Sequence, residues 1–398
     1  MSVKFYITED DMCTTQKLNL ARVQKWIEKN SGIVIEDPKD ADYLLCQTCN
    51  GWSLLEENSY NRIKKYSKSH KDKMIVMGCI NDAHPEKLKK IWDGPTVKTK
   101  TDKPYSFSDI EELFPNFSHS LESIPAQSVF RRKEDYREFN LKKRFINIAE
   151  GCSFNCSFCT HKPGLGERRS RALDDILKQA KKCIDEGAEI LNLMGMETSL
   201  WGIEFGSSYP KLLKEILNLD KNIQVHVAQF QPTGIKRYFD DLLELFSNKR
   251  VTDIQLPIQS TSKRIMRMMK RQELSSYVGP FMHELRKRNP RSVLRTDLII
   301  CWPTETYEER IDSLNFAGRY FDEIALYSIE LSPDLPAWKY KKDALSEEET
   351  EMIRKESKSY ILNKYPNVVV HSGQQDDDSM ESAEKKRIEL RKKKYSLA

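Results

Sequence analysis

EGCSFNCSFC, Glu150 to Cys159, places three cysteines within eight residues: Cys152, Cys156 and Cys159. A structural zinc site closes on four protein ligands, commonly supplied by two CxxC hooks, often with histidine. This CxxxCxxC run has no second hook, although His161 follows closely. Three thiolates can instead hold three corners of a cubic 4Fe–4S cluster and leave the fourth iron open to an exogenous ligand. On these residues alone, the cluster is favoured and zinc is the rival.

The surroundings of the loop suggest a barrel. From Phe145 onward six runs read as strands: FINIA, EILNLM, IQVHVA, TDIQLP, LRTDLIIC and DEIALYS. Helical patterns separate most of them, over Leu173–Glu186, Tyr209–Leu217, Lys236–Phe246, two stretches within Thr261–Asn289, and Glu308–Tyr320. Six β/α units predict a partial or complete barrel, whose functional rim lies at the C-terminal ends of its strands. The three-cysteine loop follows the first strand and so falls on that rim.

A second alternation occupies the first ninety or so residues. Val3–Thr8, Asp42–Cys46 and Met74–Gly78 read as strands, and Gln16–Lys29, Leu54–Ser67 and Pro85–Trp92 as helices. This predicts a small parallel sheet with helical crossovers. Cys13 lies after the first strand, Cys49 just past the second and Cys79 after the third. In a parallel sheet those ends share one edge, so the three thiols can meet there as a metal or cluster site. Three unrelated buried thiols are the plain alternative. Cys46 reads first as a buried strand residue, with a spare ligand or a redox CxxC with Cys49 as alternatives. Cys183 and Cys301 read as packing residues.

Residues 95–142 look like a connector, punctuated by Pro95, Pro104, Pro115 and Pro125 and ending in the charged run FRRKEDYREFNLKKR. Residues 371–398 are polar and read as a disordered or helical tail. The expected division is therefore 1–94, 95–142, 143–370 and 371–398. With 65 Lys and Arg against 60 Asp and Glu, the net charge of +5 does not announce a nucleic-acid binder. No secretory signal opens the sequence and no apolar run approaches a membrane span. The expected compartment is the cytoplasm, where nine cysteines are more readily ligands or packing groups than disulfides.

CSFNCSFC resembles the signature of the radical S-adenosylmethionine (SAM) superfamily, a family of partial β/α barrels. The resemblance implies that the open iron binds the amino and carboxylate groups of SAM. Reductive cleavage then gives methionine and a 5′-deoxyadenosyl radical. Phe158 matches the aromatic position placed against the adenine. The likeness narrows to the methylthiotransferases through RFINIAEGCSFNCSFC, ERRSRALDDI, NLMGMETSLWG, QLPIQSTSKRIMRMMKR, TDLIICWPTETYEER and YSIELSPDLPAW. In the amino-terminal part QTC at Cys49 and MGC at Cys79 match that family, with Cys13 as the first cysteine of the set.

Membership of that family would imply two 4Fe–4S clusters. Cys152, Cys156 and Cys159 would hold the first, and Cys13, Cys49 and Cys79 an auxiliary one that carries the sulfur to be inserted. One SAM would methylate the sulfur and a second would generate the substrate radical. An electron donor such as flavodoxin or ferredoxin is implied as well. Glu197, Ser199, Gln259 and Ser260 lie just after strand ends and are candidate SAM or substrate contacts, or else structural hydrogen-bonding groups. Arg169 and Arg171 read as carboxylate or phosphate binders or as surface ion pairs. Glu305 and Thr306 read as caps of the helix they begin.

The sequence also departs from the family. Cys301 and Thr304 stand at family glycines, and Met196 stands where protein-modifying members have glutamine. A carboxy-terminal TRAM domain is not expected, since the residues after Val370 are too few and too polar to build one. Together with the small net charge, this turns the substrate expectation towards a peptide or protein and leaves tRNA as the alternative. A non-catalytic iron–sulfur or zinc protein is the alternative of another class.

Overall fold

The computed structural model describes residues 2–8, 12–103, 105–131, 142–274, 276–372 and 389. The carboxy-terminal tail beyond 372, apart from 389, lies outside the described residues, as does most of the charged run at the end of the connector. The chain forms two compact units. One comprises Met1–Phe154, Thr160–Glu186 and Met194–Met196; the other comprises Asn155–Cys159, Gly187–Leu193 and Glu197–Ala398. The division passes through the cysteine loop.

The first unit opens with β1 (Lys4–Ile7), α1 (Thr14–Lys29), β2 (Ile33–Val34), β3 (Tyr43–Thr48), α2 (Ser53–His70), β4 (Met74–Gly78), α3 (Ile80–Ala83), α4 (Pro85–Lys89) and β5 (Thr96–Val97). The strands make one parallel sheet in the order β2-β1-β3-β4-β5. Strand period two sorts the side chains onto its faces. Phe5, Ile7, Leu45, Ile75 and Met77 pack with Trp26 of α1, while Leu44, Cys46, Met74 and Val76 pack with Ile63, Ile80, Leu88 and Trp92. The chain leaves β1 in one direction to β2 and lies in the other direction at β3. That order makes a topological switch point, where a crevice opens beyond the strand ends.

The segment expected as a connector is part of this body. It supplies β5 and two 3-10 turns, Ser108–Leu113 and Leu121–Ser123. Phe107, Ile110, Phe114, Leu121 and Ile124 are buried in the same cluster as Trp26. The unit continues with β6 (Lys143–Glu150), α5 (His161–Leu165), β7 (Arg169–Ser170) and α6 (Leu173–Asp185). β6 and β7 pair antiparallel through Ala149–Ser170 and Glu150–Arg169.

The second unit carries most of β8 (Ile190–Gly195), then α7 (Tyr209–Leu219), β9 (Gln224–Val227), α8 (Thr233–Arg237), α9 (Phe239–Phe246), β10 (Val251–Gln255), α10 (Lys263–Met268), α11 (Val278–Arg288), β11 (Val293–Ile300), α12 (Tyr307–Tyr320), β12 (Glu323–Ser328), α13 (Glu347–Lys364) and β13 (Val369–Ser372). β8 to β13 run parallel, each beside its successor. The six expected barrel strands are β6, β8, β9, β10, β11 and β12, each within a few residues of its expected limits. The fold is thus α/β, with an amino-terminal parallel-sheet body followed by a partial β/α barrel. Polar caps begin several crossovers, with Ser208, Ser262, Thr306 and Ser346 each accepting a backbone N–H. Among the described residues no helix is long and apolar enough to cross a membrane.

Candidate functional site

The amino-terminal thiols come together because of strand register. Thr48 of β3 lies beside Gly78 of β4, so Cys49 and Cys79 leave the sheet at the same level. Cys79 N donates to Thr48 O at 3.2 Å. Gly78 permits this approach: it has φ +109°, and a Cβ there would lie 2.2 Å from Thr48 O. Cys13 precedes α1 at the end of the loop leaving β1, across the switch point from β3. Hydroxyl and backbone bonds fix the Cys49 turn, with Cys49 N donating to Ser59 Oγ at 2.8 Å.

The charges of the three thiols bear on one another. Burial pushes Cys13 up to about 12, and the Cys49 charge adds to the rise. Cys79 is pushed up by burial, then by Cys49 and Cys13. Cys49 is also raised by burial, although backbone N–H groups of Gly51 and Cys13 favour its thiolate. Three converging thiolates repel one another unless cations compensate them. A cluster's irons would supply that charge, so the donor set fits an iron–sulfur group. Among the described residues no group of three or more His, Cys, Asp or Glu side chains is placed to hold a single metal ion.

Glycine also makes room around this set. A Cβ on Gly51 would meet His161 Nε2 at 3.4 Å and Cys49 Sγ at 3.5 Å. A Cβ on Gly164 would lie 2.9 Å from the Cys79 Cβ. Burial lowers the His161 pKa, which favours the neutral imidazole.

The CxxxCxxC loop is held residue by residue. Gly151 begins it at φ +68°, and a Cβ there would lie 2.0 Å from Glu167 O. Cys152 N donates to Gly166 O at 3.1 Å, and the Cys152 thiol accepts from Phe154 N at 3.4 Å. Ser157 is fixed three times: its N donates to Met269 O at 3.0 Å, its O accepts from Ala337 N at 2.9 Å, and its Oγ donates to Met268 O at 2.8 Å. Cys159 N donates to Cys156 O at 3.2 Å. Arg271 Nη1 donates to the Cys156 thiol at 3.7 Å. Burial raises the Cys156 pKa, and Arg271 opposes the rise.

Phe158 lies edge-on to Trp302, with ring centroids 6.0 Å apart. Glu197 and Ser199 are buried beside each other; Glu197 Oε1 accepts from Ser199 Oγ at 2.8 Å and from Leu200 N at 2.9 Å. Ser260 is tied to α12 through Ser313 Oγ at 3.3 Å. Gln259 differs from these. Its backbone has φ +68° and is bonded on both sides to β11, to Asp297 O at 2.8 Å and from Ile299 N at 2.9 Å. Its buried Oε1 has no hydrogen-bond partner among the described residues. Such an acceptor is open to a hydrogen bond from outside the chain.

Other expectations resolve into structure. Arg171 Nη1 donates to Asn147 O and Gln179 Oε1, both at 2.7 Å, and Arg169 Nε donates to Lys103 O at 2.7 Å. Both thus turn inward to the chain's own carbonyls. Thr306 caps α12 in a capping box with Glu309. Glu305 does not cap: it accepts from Cys301 N at 2.9 Å. Cys46 and Cys183 are buried. Cys301 and Thr304 keep a left-handed backbone at φ +60° and +69°. Arg271 was legible only as the last letter of a motif, and the position of His161 had no signal beyond its nearness to Cys159.

The radical SAM superfamily matches residues 146–317, and the uncharacterized protein family UPF0004 matches residues 10–97. The ribosomal protein uS12 methylthiotransferase RimO of Thermosipho africanus is 26% identical over 342 residues, 83% of this chain and 76% of that protein. A probable threonylcarbamoyladenosine tRNA methylthiotransferase of Methanothermobacter thermautotrophicus is 24% identical over 366 residues, 90% of this chain and 83% of that protein. Among solved structures, the radical SAM methyltransferase TsrM of Kitasatospora setae superposes with a TM-score of 0.62 at 13% identity, over 85% of this chain and 77% of that one. That likeness speaks to the fold alone. The two matched families span the two cysteine sets between them, and the relatives agree in reaction class. The chain belongs to the radical SAM methylthiotransferases, enzymes that work with SAM and two 4Fe–4S clusters.

Proposed function

We propose that this enzyme inserts a methylthio group at a C–H bond of a peptide or protein. In this reading Cys152, Cys156 and Cys159 hold the radical SAM cluster, and Cys13, Cys49 and Cys79 hold the auxiliary cluster. The convergence of Cys13, Cys49 and Cys79 at one sheet edge carries the reading, because a radical enzyme that only cleaves SAM has no need of a second three-cysteine site. Residues 1–94 are the proposed auxiliary-cluster domain, 95–142 a connector whose Phe107, Ile110, Phe114, Leu121 and Ile124 share that domain's core, and 143–370 the barrel. Phe158, Glu197, Ser199, Gln259 and Ser260 are the proposed SAM and substrate contacts, with Gln259 foremost for its unpartnered Oε1. When bound, the clusters supply the electron for SAM cleavage and the sulfur for insertion.

The substrate class is supported by the RimO relatives, which are named for a ribosomal protein. The tRNA methylthiotransferase relative supports a second reading, in which tRNA is modified. An electron donor of the flavodoxin or ferredoxin type and a cytoplasmic location belong to the same proposal. Anaerobic reconstitution should give iron and sulfide for two cubanes; enough for only one would overturn the cluster assignment. Comparing a deletion strain with its parent then decides the substrate. The protein reading requires a methylthio mass lost from a peptide, and a methylthio nucleoside lost from tRNA instead would sink it.

A further inference from the structure

His161 is not one of the six cluster cysteines, yet α5 brings it to the amino-terminal set. Two bonds anchor the start of α5 on the Cys49 turn. Asn50 Nδ2 donates to Thr160 O at 2.9 Å, and Thr160 Oγ1 donates to Gly51 O. One helical turn later Gly164 packs on Cys79. Between these anchors the His161 ring comes to the gap left by the missing side chain of Gly51. A methyl group in that gap would touch His161 Nε2 and Cys49 Sγ at once, at 3.4 and 3.5 Å. The ring makes no hydrogen bond or ion pair with any described residue. A ring nitrogen facing a thiol across an empty cradle, without another partner, has the chemistry of a ligand. Imidazole is a good donor to iron.

We infer that His161 is a fourth protein donor to the auxiliary cluster, binding through Nε2 the iron that Cys13, Cys49 and Cys79 leave open. Sulfide displaces it when the enzyme is charged for turnover. This rests on the proposed assignment of those cysteines to a cluster. The exchange replaces one electron-pair donor on iron by another: the nitrogen lone pair leaves, a sulfide lone pair takes its place, and nothing is oxidised or reduced. A resting ligand of this kind would protect the open iron from solvent while no sulfur is bound.

The test uses the full chain with Cys152, Cys156 and Cys159 replaced by alanine, so that only the auxiliary cluster forms. The protein is loaded anaerobically with iron and sulfide, desalted and reduced with dithionite. Pulsed electron paramagnetic resonance should show strong coupling of a cubane signal to one histidine nitrogen. That coupling should change isotope pattern when the protein is grown on 15N-histidine. It should be lost in His161→Ala or His161→Gln with the cubane signal retained, and lost again when sodium sulfide is added to the His161 protein. A cubane signal without histidine coupling, or a coupling that survives His161→Ala, overturns the inference. Coupling that persists in excess sulfide overturns displacement. Absence of any cubane signal in the His161 protein removes the cysteine assignment itself and the inference with it, so the two failures are distinguishable. Should the His161 variants not fold, the isotope pattern of the His161 protein alone decides.

Discussion

Arg271 donates to the Cys156 thiol at 3.7 Å from Nη1, while its Nη2 is held by Gln231 Oε1 at 2.6 Å and Pro257 O at 2.9 Å. The guanidinium therefore sits where a cluster ligand is proposed and is braced by the barrel. A positive charge beside an iron–sulfur cluster stabilises its reduced, more negative form. Arg271→Met should make the radical SAM cluster harder to reduce, seen as a more negative midpoint potential. Arg271→Lys should retain most of the charge effect. The Met variant of the unloaded protein should also lose about 1–3 kcal/mol of stability, because Gln231 and Pro257 lose a charged donor. Equal potentials in all three proteins would show that Arg271 is purely structural.

Gly151 and Gly187 share a left-handed backbone but not a neighbourhood. At Gly151 a Cβ would lie 2.0 Å from Glu167 O, whereas at Gly187, φ +89°, nothing lies within 4 Å. Gly187→Ala should cost only the backbone penalty, roughly 1–2 kcal/mol. Gly151→Ala should cost roughly 2–5 kcal/mol, since the Cys152 loop must also shift to relieve the clash. Denaturant melts measure the difference, and iron content after reconstitution should fall only in the Gly151 variant.

Cys46 and Cys49 separate on the two sides of a strand end. Cys46 packs with Leu44, Ile63 and Val76, whereas Cys49 couples to Cys13 and Cys79. Cys46→Ala should leave both clusters in place and cost about 1 kcal/mol of packing. Cys49→Ala should abolish the auxiliary cluster. Iron analysis and the cubane spectrum of each variant check the contrast.

Stability should decline with rising pH in a window set by Asp297. Its carboxyl is pushed up to about 6 by burial, with Arg295 and His371 opposing and Glu323 adding to the rise. The unfolded chain titrates nearer 3.9. The folded state therefore holds the proton more tightly, and this contribution is fully present below about pH 4 and lost as pH rises through about 6. The loss is on the order of 2–3 kcal/mol. Asp297→Asn should flatten that part of the stability profile of the unloaded protein and raise its stability near pH 7. An unchanged slope between pH 4 and 6 would refute the assignment.

The strands of both bodies were legible because their apolar runs are long and bounded by turns, and the parallel-sheet rule puts Cys13, Cys49 and Cys79 at one edge. Two-residue strands such as Ile33–Val34 and Thr96–Val97 are too short to carry a period. Phe107, Ile110, Phe114, Leu121 and Ile124 enter the core from 3-10 turns and loops, whose irregular spacing has no helical or strand signature. Cys301 and Thr304 show a related limit. Glycine normally advertises a left-handed residue, yet here that conformation persists at φ +60° and +69° without it. The nearness of His161 to Cys49 and of Arg271 to Cys156 joins residues more than a hundred positions apart, a pairing no local pattern encodes.

The triple anchoring of Ser157 sets an order of maturation during synthesis. Its partners Met268, Met269 and Ala337 are translated long after the cysteines themselves. Until residue 337 has emerged from the ribosome, the CxxxCxxC loop lacks part of the frame that fixes it. The six cysteines are all synthesised by then, and the turns at Cys13, Cys49 and Cys79 are complete earlier still, once α5 has formed. Under the proposed cluster assignment, iron delivery to this enzyme should thus be staggered, with the centre at Cys13, Cys49 and Cys79 ready to mature on the nascent chain and the CxxxCxxC centre reaching its final setting late.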